Sequence, residues 1–345
     1  MGALSLPALA VVPATADPRP PAPRYRRMLG TAVRADRLLR DEALKRAIVA
    51  DCDWITPEID WKWNALEYRR DGWWFERADA LAAFAADHGL GIRGHALLWD
   101  RSTPDWAKAD MAERRDWALV ERWFATVLGR YGAKACEWDV VNEPIDTEKG
   151  ERGLAQNCFH QAFGAGYVAR ALRSARALAP DARLFVNEYG FEYANYVERD
   201  RRTAFLKLLE ALRRDGAPID GVGIQAHLDL SKGPLEARAI AAMLREIADL
   251  GLPVTITELD VKESDRALPI EARDRAVADH VARYLDVVLA EPGVRGVVTW
   301  GMTDRDSWLQ DDLKPERVAD YNRGCALDAE LRPKPVTRAL RRAVA

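Results

Sequence analysis

The chain has 345 residues, 48% hydrophobic and 30% charged, and its 51 basic and 54 acidic side chains leave a formal charge of −3. That is ordinary globular composition with enough apolar residues for a large core, and the intermixed charge offers no basic face for nucleic acid. A neutral substrate suits this balance best.

In chain order, residues 1–23 stand apart. An apolar stretch of roughly ten residues is followed by Ala14-Thr15-Ala16, an A-x-A pattern, and by a proline-rich spacer to Pro23. This reads as the back half of a secretory signal without its basic start, which points to a periplasmic or secreted protein; a merely disordered tail is the competing reading. The stretch is too short to span a bilayer, and no later one is long and apolar enough, so no membrane partner is expected.

From Arg24 onward eight strand-like runs follow: LGTAVRA (29–35), WITPEID (54–60), GIRGHALLW (91–99), EWDVVNE (137–143), RLFVNEYG (183–190), GVGIQAHL (221–228), PVTITELD (253–260) and VRGVVTWGM (294–302). Amphipathic helical patterns separate them. RADALAAFAADHG stops at a glycine and YVARALRSARALAP at a proline, as helix ends often do. Strands alternating with helices imply a parallel sheet, and a count of eight favours an α/β fold of the closed (β/α)8 TIM-barrel type, one domain over 24–345, rather than an open sheet. No glycine-rich phosphate loop follows the first strand, which argues against nucleotide binding. Cys52, Cys136, Cys158 and Cys325 lack C-x-x-C spacing, and no pair among the five histidines has metal-ligand spacing. No metal or other cofactor is expected, and spacing leaves disulfides and free thiols both open.

In such barrels the chemistry sits at the C-terminal strand ends. Glu58 and Asp60 end the second run, His95 and Trp99 the third, Asn142 and Glu143 the fourth, and Asn187 and Glu188 the fifth. Gln225 and His227 end the sixth, Glu258 and Asp260 the seventh, and Trp300 the eighth. Any one of them alone reads equally well as a satisfied polar group; the set converging on one mouth reads as a site. Within WDVVNEP (138–144), Glu143 ends an apolar run, where a charge must be hydrogen-bonded, paired or used. Glu258 ends TITELD, across the barrel from it. Glycosidic cleavage needs such a pair, one carboxylic acid to protonate the leaving oxygen and a second carboxylate to attack or to activate water. A separation of about 5 to 5.5 Å would mean retention and about 6.5 to 9.5 Å inversion, and spacing alone leaves both open.

GHALLWDRSTPDW, WDVVNE, GVGIQAHL, ITELD and TWGMTDRDSW together resemble glycoside hydrolase family 10, and the similarity runs from about Arg24 to Arg342. The resemblance implies a retaining endo-β-1,4-xylanase with Glu143 as general acid/base and Glu258 as nucleophile. It implies that Asn142 bonds the 2-hydroxyl at the cleavage site and that His227 bridges Glu258 and Asp260, keeping the nucleophile ionised. Glu143 in its apolar strand, beside a second negative charge, is suited to stay protonated until it is called on. Glu58, Lys62, His95, Trp99, Gln225, Trp300 and Trp308 match sugar-contacting positions, where an indole can cover a pyranose face and its N–H can bond a hydroxyl. Tyr189 reads either as lining the leaving-group side or as core, and Trp73, Trp117 and Trp123 fall on helical patterns and read as packing.

The chain departs from the family pattern at the outer glycone end. Ile59 stands where asparagine is usual after Glu58, Asp100-Arg101-Ser102 replace His-Ser-Gln, and Glu188 and Gly190 replace Asp and Asn. Losing two amides that hold a sugar should weaken or redirect binding there, toward substituted xylan, short oligosaccharides or another β-linked glycan such as a bacterial exopolysaccharide. A non-catalytic carbohydrate-binding barrel is the rival class; a barrel aldolase or isomerase would need a Schiff-base lysine or a phosphate loop. The expected partner is a polysaccharide or oligosaccharide, taken by a monomer.

Overall fold

The computed structural model describes residues 27–263, 265–313 and 318–344; the leader over 1–23 lies outside them. Strands β1 (Met28–Val33), β2 (Trp54–Pro57), β3 (Gly91–Gly94), β4 (Glu137–Asn142), β5 (Arg183–Glu188) and β6 (Gly221–Ile224) are followed by β7 (His227–Asp229), β8 (Val254–Lys262) and β9 (Val294–Thr299). All pairings are parallel, and β4 is buried along its whole length, as strands covered on both faces are. Gly30 of β1 pairs with Trp54 of β2 on one side and Val298 of β9 on the other, and Val222 of β6 pairs with Val254 of β8. Every gap is thereby closed, and the chain is a single-domain (β/α)8 barrel with helices outside, as its run pattern predicts.

Two runs break where the sequence reads as continuous. In the sixth, Ala226 adopts φ 61°, and the chain leaves β6 and resumes as β7, which pairs only with the outer part of β8. That break sets His227 opposite Asp260. In the third, β3 stops at Gly94; the backbone then rejoins β4 farther out, where Leu98 N–H donates to Val140 O at 3.0 Å and Asn142 N–H to Leu98 O at 2.9 Å. Trp99 is thus carried to the barrel mouth.

The expected helices form over Glu76–Asp87 and Tyr167–Leu178, each burying one apolar face. Trp117 and Trp123 are buried and Trp73 stacks on Trp123 with ring centroids 6.0 Å apart, so these three indoles pack, although only Trp123 lies within a helix, Ala118–Tyr131; Trp117 caps that helix and Trp73 is in a loop. The last helix, Pro335–Val344, packs on Ile270–Val288, and Arg341 pairs with Asp51 at 2.8 Å. The barrel interior is not wholly apolar. Arg93, fully buried, meets Glu137 at 2.9 Å and forks onto both oxygens of Asp139, which also accepts from His95 Nδ1 at 2.8 Å. The four cysteines are free thiols. Among the described residues no helix is long and apolar enough to cross a membrane.

Candidate active site

The C-terminal strand ends surround an open cleft of about 540 Å³. Glu143, Glu258, Asn142, His227 and Asp260 line it, together with Glu58, Lys62, His95, Trp99, Tyr189, Gln225, Trp300 and Trp308. Every residue singled out at the strand ends as a sugar contact therefore faces one space, and Tyr189 belongs to the wall rather than the core. β4 and β8 stand three places apart round the eight-strand ring, so their two glutamates converge obliquely rather than from diametrically opposite sides.

Glu143 follows directly on β4 with φ 56°, a left-handed conformation uncommon outside glycine and often found at functional positions. Its N–H donates to Asn187 O at 2.9 Å, which holds the turn. One carboxylate oxygen, Oε1, accepts from Gln225 Nε2 at 3.3 Å and Asn142 Nδ2 at 3.4 Å. The other, Oε2, has only Arg101 Nε nearby, at 4.0 Å.

Glu258 is surrounded differently. Asn187 Nδ2 donates to its Oε1 at 2.6 Å and His227 Nε2 stands 3.3 Å from its Oε2. Burial alone would raise its pKa, but the His227 hydrogen bond and the charges of His95, His227 and Lys62 outweigh that and hold it below the usual glutamate range. Burial works against a charge on His227 as well. The Asp260 carboxylate, 2.8 Å from His227 Nδ1, and Glu258 override it and push the imidazole well above its ordinary value. Asp260 is itself fixed by Trp308, whose Nε1 donates to Oδ2 at 2.6 Å. The Trp308 N–H is therefore spent on Asp260, and the Trp99 Nε1 is buried without a protein partner, so the two indoles do not play the same part.

Asn187 was placed among the strand-end residues but was given no role there. Its Nδ2 donates both to Glu258 and to Asn142 Oδ1 at 2.8 Å, while its Oδ1 accepts from Thr257 Oγ1 at 2.6 Å. One amide thus links the residue beside Glu143 to Glu258. A trace of this is visible in GVGI, where Gly223 pairs with Asn187; a Cβ at 223 would lie 2.1 Å from the Asn187 Oδ1. Asp139, the partner that orients His95, was not singled out. Lys62 lies 4.3 Å from the Trp99 ring centroid, and burial lowers its pKa against the pull of Glu258, Glu58 and Glu143. Glu188 does not reach the cleft. It is buried beneath, pairs with Arg201 and accepts from Ile145 N–H at 2.7 Å, and burial pushes it up to about 8 despite Arg201.

The sequence model of glycosyl hydrolase family 10 matches residues 21–343, nearly the whole chain. The chain belongs to this family. Among similar proteins, endo-1,4-beta-xylanase 1 of Humicola insolens is 32% identical over 295 residues, covering 83% of this chain. Only 66% of that relative's length is spanned. The endo-1,4-beta-xylanase of Agaricus bisporus is 31% identical over 83% of this chain and 81% of its own. Xylanase 10B of Thermotoga petrophila, solved with xylobiose, superposes with a TM-score of 0.81 at 25% identity, covering 92% of this chain and 94% of its own. This family 10 chain keeps the barrel of those xylanases while carrying Ile59, Arg101 and Ser102 on its cleft wall.

Proposed function

We propose that the protein is a retaining endo-β-1,4-xylanase, acting as a monomer outside the cytoplasm, with Glu258 as nucleophile and Glu143 as general acid/base. The unequal settings of the two glutamates carry this reading: both oxygens of Glu258 have hydrogen-bonding partners, whereas Glu143 leaves Oε2 without one. Donors stabilise an ionised nucleophile, and two carboxyls in divergent environments take divergent roles. Glu258 attacks the anomeric carbon as the glycosidic C–O bond breaks, and the proton of Glu143 passes to the leaving oxygen. Glu143, now a carboxylate, takes a proton from water, which attacks the same carbon and frees Glu258; two inversions give retention. Asn142 and Asn187 hold the pair in register, and His227, Asp260 and Trp308 orient Glu258. Glu58, Lys62, His95, Trp99, Gln225 and Trp300 hold the sugars, with Tyr189 on the leaving-group side. The apolar leader with its A-x-A pattern supports export.

Product analysis on β-1,4-xylan, xylo-oligosaccharides and a panel of other β-glycans tests the assignment. Xylo-oligosaccharides released with retained anomeric configuration are expected; cleavage only of another glycan would move the substrate, and silence on all would favour a binding protein.

At the outer glycone end, Ile59 and Ser102 line the cleft where amides are usual in the family. The double substitution Ile59→Asn and Ser102→Gln is expected to raise kcat/KM on unsubstituted xylan by about 10-fold, since two restored hydrogen bonds are worth about 0.5 to 1.5 kcal/mol each. No gain would show that the outer end is not limiting. Beside them, burial pushes Glu58 up to about 7, against the pull of Lys62 and Arg34. Its proton therefore comes off near neutrality, and KM for long oligosaccharides should change between pH 6 and 8, about one unit either side of that value. In Glu58→Gln, a permanent mimic of the protonated form, KM is expected to stay at its low-pH value; an unchanged profile would remove Glu58 from the binding site.

A further inference from the structure

Among the described cations on the cleft wall, Lys262 and Arg101 have no ion pair with a structural carboxylate, and Arg101 is the one placed beside a reacting group. It sits in the single turn Asp100–Ser102 after Trp99, with its side chain 72% exposed and its Nε 4.0 Å from Glu143 Oε2. The backbone beneath it is fixed. Asp100 Oδ1 accepts from Cys158 N–H at 2.9 Å, Ser102 N–H donates to Trp99 O at 3.0 Å, and Thr103 Oγ1 donates to the same oxygen at 2.8 Å. A hydrogen-bonded turn, half-buried at Trp99 and Asp100 and buried at Ser102 and Thr103, therefore presents an exposed guanidinium to the cleft.

The other cations on the wall are partly accounted for. Arg34 pairs with Asp36 at 3.3 Å and Lys232 with Glu198 at 2.8 Å, both carboxylates that do not line the cleft. Lys62 is buried between Glu58 and Glu258 and against Trp99. Arg101 has only Glu143, at the limit of ion-pair distance, and Glu143 must be protonated when a substrate is bound productively. In that form the guanidinium has no counter-ion, and a carboxylate on the substrate can supply one. Arginine suits this task, because its planar fork takes a carboxylate through two parallel hydrogen bonds.

We propose that Arg101 is a specificity-determining residue that selects glycan chains carrying a uronic acid branch, whose carboxylate pairs with its guanidinium beside Glu143. This rests on the xylanase reading and names the substrate class within it. An overall charge balance that suggests a neutral substrate does not conflict, since one local cation decides the contact.

The test compares three substrates on the full chain: an unsubstituted xylo-oligosaccharide, the same backbone with one uronic acid branch, and that branched compound with its carboxyl reduced to the alcohol. The acid and its reduced form differ only in charge at the branch. At low ionic strength the parent is expected to favour the acid over the reduced form by about 5-fold in kcat/KM, the size of an exposed but charge-assisted pair, and 0.5 M salt should erase most of that. Arg101→Ser should bring the ratio to one, and Arg101→Lys, which keeps the charge without the fork, should keep part of it. A ratio near one in the parent, or a preference that survives Arg101→Ser, would overturn the proposal while leaving xylan cleavage intact. Cleavage of none of the three would overturn the xylanase reading and this inference together.

Discussion

Glu258→Gln is expected to lower kcat on xylan by at least about 10⁴-fold, because no glycosyl ester can form on an amide. Glu143→Gln should behave differently. General acid–base catalysis supplies about 10²- to 10⁴-fold, and only the part acting on a poor leaving group is lost in the first step. On xylan, turnover should fall by that factor. On an aryl glycoside whose phenolate leaves unaided, the first step should survive and the second, which needs a base for water, should become limiting. A burst of phenol followed by slow turnover is then expected, and azide, a nucleophile that needs no base, should restore the rate and yield a glycosyl azide. Azide rescue of the Glu258 variant with retained configuration after a burst, and of the Glu143 variant with inverted configuration and no burst, would exchange the two roles. Glu143 follows the end of β4 and Glu258 lies midway along β8, both facing the cleft, and the amide variants keep the size of either side chain.

Arg93→Met is expected to lower global stability by about 3–5 kcal/mol, the usual effect of removing one partner from a buried ion pair. Arg93, Glu137 and Asp139 are all buried, and the guanidinium answers both carboxylates. Burial would raise the pKa of Asp139, but Arg93 and His95 more than offset it and hold the carboxyl below its ordinary range. Stability from that shift is complete above the unfolded aspartate value and is lost as pH falls through the lower folded one. Without Arg93, burial acts on Asp139 with only His95 opposing it, and Glu137 keeps only Arg183, at 3.3 Å. Both carboxyls then favour protonation, so the deficit of the variant should be largest near neutrality and shrink as pH falls. Denaturant unfolding of parent and variant at pH 7 and pH 4.5 measures this; a deficit that is the same at both pH values would mean that Arg93 acts through packing alone. Because Asp139 also positions His95 on the cleft wall, the variant should lose affinity for substrate besides stability.

The barrel and most of its mouth were legible in the chain. Alternating apolar runs and amphipathic helices are local patterns, and in a parallel barrel the end of each run necessarily points to one face, so Glu143, His227 and Glu258 could be placed together before any coordinates. What escaped was of two kinds. Asn187 and Asp139 look like ordinary polar residues in strands, and only the closing of β4, β5 and β8 round the mouth and the pairing of β3 with β4 show that one amide joins Asn142 to Glu258 and one carboxylate steers His95. Glu188, conversely, has the look of a cleft residue by its place at a strand end, yet it turns away from the barrel interior to Arg201 on the surrounding helix Tyr196–Arg214, because the strand pleat sends alternate side chains to opposite faces.

The sequence by itself determined the fold class, the strand order and the two glutamates, since hydrophobic period and strand-end position are properties of neighbouring residues. Only the tertiary structure decided that both oxygens of Glu258 are engaged and one of Glu143, that the sixth run breaks at Ala226 so that His227 meets Asp260, and that Arg101 stands 4.0 Å from Glu143. Those outcomes depend on distances between residues far apart in the chain, and the hydrogen bonds and charges that set them act only once the barrel has closed.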